Sequence, residues 1–115
     1  MAVGDWKQLE GVELGGDDIA GVRKRVLVGP QEGWDGWVMR VFEIAPGGHT
    51  PLHRHPWPHI NIGLEGHGSL RLDGKDSPMG AGGYAFIPAG AEHQFSNSGE
   101  EPCAVVCIVP EEGDK

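Results

Sequence analysis

The chain has 115 residues, among them 20 glycines and nine prolines, and its formal net charge at pH 7 is −8. This length is typical of a single domain, and the negative charge argues against nucleic acid or an anionic membrane surface as a partner. No apolar run approaches transmembrane length, and the N-terminal residues lack the hydrophobic core of a signal peptide. We therefore expect a cytoplasmic protein. Because frequent glycine and proline interrupt longer elements, we also expect it to consist mainly of short strands.

The chain divides into three predicted parts, an N-terminal extended arm over 1–21, a barrel-forming domain over 22–110 and a flexible tail over 111–115. The arm has only isolated apolar residues, so it either packs on a neighbour, such as a partner subunit, or is frayed. Apolar runs between turn residues predict strands in the main domain. These strands are predicted over 22–28, 37–44, 60–64, 69–72, 84–88 and 103–109.

The connections between these strands follow from their turn residues. Ala45 to Gly48 and Gly66 to Gly68 are predicted as turns, and Asp73-Gly74 as a tight hairpin turn. The segment 75–83 is rich in glycine and is predicted as a connection without regular structure. A further strand is expected to carry His53 and His55.

Strand parity places Arg40 on the same face as Val38 and Phe42 in the strand over 37–44. An inward Arg40 could hold an anionic substrate, whereas an outward Arg40 would be a surface cation, and the sequence leaves both open. In the strand over 60–64, Asn61 shares a face with His59 and could hydrogen-bond a ligand or a metal-binding histidine. The opposite, apolar face needs a cover, either a second sheet or a dimer partner.

Four histidines have a spacing that predicts a metal site. In an extended segment His53 and His55 point to the same side, and the turn through Pro56 and Pro58 can deliver His59 to the same place. Neutral imidazole is the commonest metal-binding side chain. A lone histidine is more often a core or surface residue, but this spacing favours metal binding. The predicted ligands are His53, His55, His59 and His93.

The two cysteines, Cys103 and Cys107, lie on one predicted strand. Four residues of strand separate them by about 13 Å, which exceeds the roughly 7 Å that a disulfide allows. We therefore expect free thiols, which is consistent with a reducing compartment. Cys107 is more simply a small buried residue than a reactive group. Phe95 shares a face with His93 and is expected to wall the same pocket.

Two motifs carry a resemblance to a known family. Gly47, His53-x-His55, His59 and Gly66 resemble the first cupin motif. Gly82, Pro88-x-Gly90, His93 and Asn97 are similar to the second, and together the two motifs span about half of the chain. The resemblance implies an all-β fold, the double-stranded β-helix or jelly-roll cupin barrel, with a metal inside.

One position departs from the commoner cupin pattern, because many cupins carry a glutamate where this chain has His59. With His59 at this position, the sequence resembles the subgroup of small bacterial single-domain cupins with four histidine ligands. That resemblance implies manganese as the metal, with iron, copper, nickel or zinc as alternatives, and a homodimer to which the N-terminal strands contribute. It also places Cys107 beside the pocket.

Four neutral imidazoles leave a divalent metal with its full charge, and a six-coordinate ion would keep two open positions. Such a site suits oxygen or peroxide chemistry on a small organic substrate and does not suit a purely structural metal. The sequence therefore predicts a metal-dependent, dioxygenase-like oxidoreductase. The alternatives are a redox-neutral, isomerase-like enzyme acting on a sugar or uronate, and a binding module without turnover. The pocket candidates are Arg40, Trp57, Asn61, Phe95 and Cys107.

Overall fold

A computed structural model describes residues 2–114, which form an all-β barrel. The described residues contain three short 3-10 helices, which are Trp6–Gln8, Pro30–Glu32 and Glu111–Asp114. The described residues contain nine strands, which are β1 Val12–Glu13, β2 Ala20–Val28, β3 Trp37–His49, β4 His59–Glu65, β5 His67–Leu72, β6 Lys75–Gly80, β7 Tyr84–Ile87, β8 His93–Ser96 and β9 Cys103–Pro110.

All strand pairs are antiparallel, and the strands follow the order β6-β5-β8-β3-β9-β4-β7, with β1 and β2 branching from β3. The long strand β3 pairs with β2, β8 and β9, so it connects both halves of the barrel. The jelly-roll prediction is confirmed. Within the barrel lies an apolar core of Val22, Ile44, Leu70, Met79, Ile87, Phe95, Cys103 and Val105.

The predicted turn over Ala45 to Gly48 is wrong, because β3 continues through it to His49. Ile44 pairs with Val22 and His49 pairs with Ala20, so residues 45–48 of β3 lie opposite Gly21 alone. Gly47 has a φ of 80°, a conformation that glycine adopts without strain. The glycines therefore mark an irregularity within a strand, as in a β-bulge, and the chain does not reverse.

The segment 75–83, predicted as an irregular connection, contains strand β6. The Asp73-Gly74 hairpin turn before it is confirmed, with positive φ angles of 49° and 81°. β6 pairs along its whole length with β5, and Arg71 forms an ion pair with Asp76 across the two strands. Residues 75–78 are all exposed, so the segment lacks the alternation of apolar and polar residues that predicts a half-buried strand. The predicted turn over 66–68 is also shorter than expected, because β5 begins at His67.

Described segments near both termini contact the barrel. The side chain of Trp6 packs beside Val41, Ala104 and Val106 on the outer side of the sheet, and β1 pairs with β2. The segment from 111, predicted as a flexible tail, contains the 3-10 helix over Glu111–Asp114; Lys115 lies outside the described residues. The division into arm, barrel and tail stays a prediction. No helix among residues 2–114 is long and apolar enough to cross a membrane.

Part of the side of β4 that faces away from the cavity is left exposed by the described chain. Ile60 and Ile62 remain 49% and 45% exposed, and their partners on β7, Phe86 and Tyr84, are 60% and 83% exposed. We call these four side chains the outer patch.

Candidate metal centre

His53 and His55 do not lie on a regular strand, contrary to the prediction. His53 forms only an isolated bridge with His93, made by two backbone hydrogen bonds of 3.1 and 2.9 Å. The amide of Gly90 also donates to the carbonyl of His55. A ladder cannot extend here because the neighbouring prolines have no amide hydrogen. The two rings nevertheless lie side by side, with centroids 5.2 Å apart.

The other two rings come from strand starts, since His59 is the first residue of β4 and His93 the first of β8. Their ring centroids lie 4.9 Å apart, and each lies within 5.1 Å of the ring of His55. His53, His55 and His93 each offer a nitrogen atom within 4.8 Å of the others. The structure thus brings all four predicted histidines into one cluster; their roles as ligands stay a prediction.

Hydrogen bonds orient three of the rings. The Nδ1 atoms of His55 and His93 lie 2.9 Å from the carbonyl oxygen of Trp57 and 3.0 Å from that of Ala91. In His59, Nδ1 lies 2.6 Å from Oδ1 of Asn61. Because these oxygens only accept hydrogen bonds, each Nδ1 carries the proton and donates it, which leaves Nε2 with a free lone pair.

Loss of solvent keeps three of the four imidazoles neutral. Loss of solvent lowers the pKa of His53 to about 4 and that of His59 to about 3, with further lowering by the neighbouring histidines. For His59 the hydrogen bond with Asn61 opposes the effect of burial on the pKa. Burial also lowers the pKa of His93. At pH 7 these imidazoles are neutral, the form that binds metals.

The arrangement fits a metal ion. The Nε2 atoms of His59 and His93 lie 3.2 Å apart, and both carry lone pairs, so no hydrogen bond joins them. Two imidazole nitrogens at right angles on one ion, each about 2.1 Å away, would lie about 3.0 Å apart. The histidine cluster can therefore hold a metal, and an all-imidazole donor set suits zinc, copper, iron or nickel as well as manganese.

A cavity of about 410 Å³ opens beside the cluster. The five predicted pocket residues, Arg40, Trp57, Asn61, Phe95 and Cys107, all line it. The sequence did not single out the six further lining residues, which are Leu14, Ile19, Phe42, Thr50, Pro51 and Gly113. Leu14 and Ile19 are isolated apolar residues in a polar arm, and this pattern could have indicated that they line a cavity. No feature of the sequence indicated such a position for Gly113.

Arg40 faces inward, which settles the alternative that the sequence left open. Its guanidinium lies 4.8 Å from the ring centre of Phe42, and one Nη atom donates to Asp114 at 3.0 Å. Cys107 is buried behind it, with Sγ 3.6 Å from Nδ1 of His59. Burial raises the pKa of Cys107, so this thiol stays protonated and contributes packing. Both cysteines are free, as predicted.

The β-barrel with a histidine cluster at its inner surface defines the class of protein as a cupin. The Cupin domain family Cupin_2 matches residues 40–109, and the chain belongs to this family.

Relatives of this chain carry several different activities. A 1-methylthio-D-xylulose 5-phosphate methylsulfurylase of Rhodospirillum rubrum is 34% identical over 77 residues, covering 67% of this chain and 49% of that protein. A gentisate 1,2-dioxygenase of Ralstonia sp is 33% identical over 60 residues, covering 51% and 17%. The chain thus spans about half or less of the curated relatives that it matches.

Among solved structures, the polyketide cyclase RemF of Streptomyces resistomycificus matches with a TM-score of 0.87 and 28% identity. The match covers 96% of this chain and 79% of RemF. Together the comparisons fix the family and the fold, while the differing chemistry of the relatives leaves the reaction to be inferred from the site.

Proposed function

We propose that the protein is a metal-dependent oxidoreductase of the dioxygenase type, acting on a small organic substrate. The observation that carries this proposal is a cluster of four histidines, without a carboxylate among them, at the wall of a 410 Å³ cavity. A divalent metal held by neutral imidazoles would supply Lewis acidity and a site for oxygen or peroxide. The dioxygenase among the relatives also supports this reaction class.

The chain's own residues would position the substrate. Phe42 and Phe95 give the cavity apolar walls, and the ring of Trp57 stacks on His55 at a centroid distance of 4.7 Å. Stacking fixes the ring of His55, and Asn61 fixes the ring of His59 through its Oδ1 atom. Manganese is our proposed metal, because the spacing of the histidines resembles the four-histidine cupins.

A redox-neutral reaction on a sugar or uronate is the second candidate. The observation that favours it is the inward cation Arg40, which suits an acidic sugar, and one relative is named for a reaction of a sugar phosphate. A binding module without turnover is the remaining alternative. All three use the same cavity, so only an assay of turnover separates them.

The test is oxygen consumption by protein loaded with manganese or iron, with hydroperoxide and phenylpropene-like compounds as probes. We expect oxidised products that disappear in His93→Ala, whereas His67→Ala, which changes an exposed histidine of β5, should retain them. If metal-loaded protein isomerises uronates and yields no oxidised product, the redox-neutral candidate replaces our proposal. If no probe is turned over, the binding module without turnover replaces our proposal.

We also propose that the protein is a cytoplasmic homodimer in which two copies meet through the outer patch. The four side chains of the outer patch expose on the order of 400 Å², an apolar area in the range of patches that bind a partner. None of them is charged, although the chain carries a net charge of −8. Two copies can therefore approach through this surface without bringing like charges together.

A further inference from the structure

The cavity contains no acidic side chain, although the chain has 17 aspartates and glutamates. None of the residues that line the cavity is acidic, whereas Arg40 contributes a permanent positive charge. A ligand inside this cavity thus meets one cation and no carboxylate from the lining. In a strongly acidic protein, such a cavity attracts anions and does not attract cations.

Three of the residues that line the cavity each carry a buried N–H donor without a hydrogen-bond partner. Among the described residues, the buried side-chain polar atoms without a hydrogen-bond partner are Nε of Arg40, Nε1 of Trp57 and Nδ2 of Asn61. Each is an N–H donor, so the missing partner is in every case an acceptor. A buried donor without a partner is costly, so an acceptor that reaches one of these atoms on binding would be favoured.

The charge of Arg40 is only partly balanced by the protein. Asp114 lies 3.0 Å from Nη1 of Arg40 and also 2.6 Å from Nζ of Lys24. One carboxylate thus serves two cations, and this cluster keeps one positive charge. Arg25 on the same sheet is equally buried, with 12% of its side chain exposed, but it has Glu43 as its own partner at 2.9 Å.

We propose that the cavity binds an organic oxyanion, a carboxylate on an apolar or aromatic body, with Arg40 as its anchor. The apolar body would contact Leu14, Ile19 and Phe95, which line the remaining wall. This inference rests on the proposed function in one respect, since both concern the same cavity. It adds the class of substrate that the cavity would bind. It also assigns Asp114 a competing role, because its carboxylate holds the guanidinium that the ligand needs.

The experiment measures binding of three closely related probes by isothermal titration calorimetry. The probes are 3-phenylpropionate, its neutral amide and 3-phenylpropylamine, added to metal-loaded protein and to protein treated with a chelator. We expect the carboxylate to bind at least about tenfold more tightly than the amide in both preparations, since charged hydrogen bonds to arginine are the strong ones. Equal binding of carboxylate and amide would overturn the proposal.

Two substitutions with opposite expected effects separate ligand binding from a structural role. Arg40→Gln should weaken binding of the carboxylate about tenfold or more, whereas Asp114→Asn should strengthen it about threefold by releasing the guanidinium. If both variants weaken binding, the ion pair is structural and the proposal fails. Arg40→Lys retains the charge, so it serves as the folded variant if Arg40→Gln does not fold, with an expected smaller loss.

Matched controls come from the same elements. Arg25→Gln removes an equally buried arginine that lies outside the cavity, and Glu112→Gln removes an exposed carboxylate of the same 3-10 helix as Asp114. Both should leave the affinity for 3-phenylpropionate unchanged. Carboxylate-selective binding without oxidative turnover would refute the proposed function alone, and turnover of neutral substrates with no carboxylate preference would refute this inference alone.

Discussion

The orientation of three imidazole rings depends on the hydrogen bond that each Nδ1 atom donates. Of the three orienting acceptors, two are backbone carbonyls, those of Trp57 and Ala91, which no substitution removes. The third is the side chain of Asn61, which is 1% exposed and lies 2.6 Å from Nδ1 of His59. Asn61 is therefore the position at which the orientation of a predicted ligand can be tested without touching the ligand.

Substitution of Asn61 by leucine should lower the metal affinity roughly 10- to 100-fold, because His59 loses the acceptor that fixes its tautomer. Asn61→Asp keeps an acceptor at the same place and should retain or increase the affinity. Competition with a fluorescent chelator measures both variants. Unchanged affinity in Asn61→Leu would show that the ring of His59 needs no such support.

The metal-free protein should lose stability as the pH falls. The pKa of the buried His59, about 3, lies below the roughly 6.5 of the unfolded chain, whereas the more exposed His53 contributes less to this difference. Between pH 6.5 and 4 the unfolded state binds more protons, so the free energy of unfolding decreases through this window and is fully recovered above it. We expect a loss of about 2 kcal/mol from pH 7 to pH 5, measured by urea unfolding.

Two histidine variants check the source of this loss. His59→Gln should flatten the pH dependence, because a group that cannot be protonated replaces a buried imidazole. His67→Gln removes an exposed histidine and should leave the dependence as it is in the unchanged protein. A dependence of undiminished size in His59→Gln would place its origin elsewhere in the chain.

At the level of secondary structure, the spacing of the histidines correctly predicted which side chains meet. It predicted the path of the backbone between them less well. The alternation of His53 and His55 correctly predicted neighbouring rings, although the segment between β3 and β4 is not a strand. Parity within β3 and β4 likewise predicted that Arg40 and Asn61 could face the cavity, which they do. Side-chain direction follows from extended backbone alone, with or without a regular ladder.

The parts that the sequence did not predict depend on tertiary contacts. β6 contains lysine, aspartate, serine and proline, and it becomes a strand only because β5 pairs with it. Likewise, the contacts of Asp114 with Lys24 and Arg40 span 90 and 74 residues of sequence. No local sequence pattern indicates such contacts. The sequence therefore did not predict that the C-terminal 3-10 helix forms part of the cavity wall.

Close packing of β4 against β6 should make Gly63 intolerant of a side chain. A Cβ atom at Gly63 would collide with the carbonyl oxygen of Gly80, which is backbone and cannot rotate away. Gly63→Ala should therefore destabilise the protein by about 3 kcal/mol, seen as a lower urea midpoint. Gly15→Ala, where the new Cβ has open space, should change the midpoint little. Equal midpoints for the two variants would contradict this packing.

The molecule as a whole has two apolar surfaces with different expected partners. The inner one surrounds the cavity beside the histidines, and the outer patch lies on the opposite side of β4 and on β7. Strand alternation produces both, since His59 and Asn61 point inward while Ile60 and Ile62 point outward. The expectation that the outward side needs a cover stays a prediction.

Dimer formation through the outer patch predicts a charge-sensitive assembly. Phe86→Glu should convert the protein from dimer to monomer, because two copies would bury unpaired carboxylates at the centre of the interface. Val12→Glu, which changes an exposed valine of β1, is the matched control and should remain dimeric. Light scattering coupled to size-exclusion chromatography gives the masses. A monomeric unchanged protein would refute the dimer.

The metal content of protein purified without a histidine tag, measured by mass spectrometry, tests the metal centre most directly. We predict about one metal ion per chain in the unchanged protein and none in His55→Ala, with His67→Ala retaining its metal as the control. Metal that persists in His55→Ala at full stoichiometry would contradict a metal centre built from His53, His55, His59 and His93.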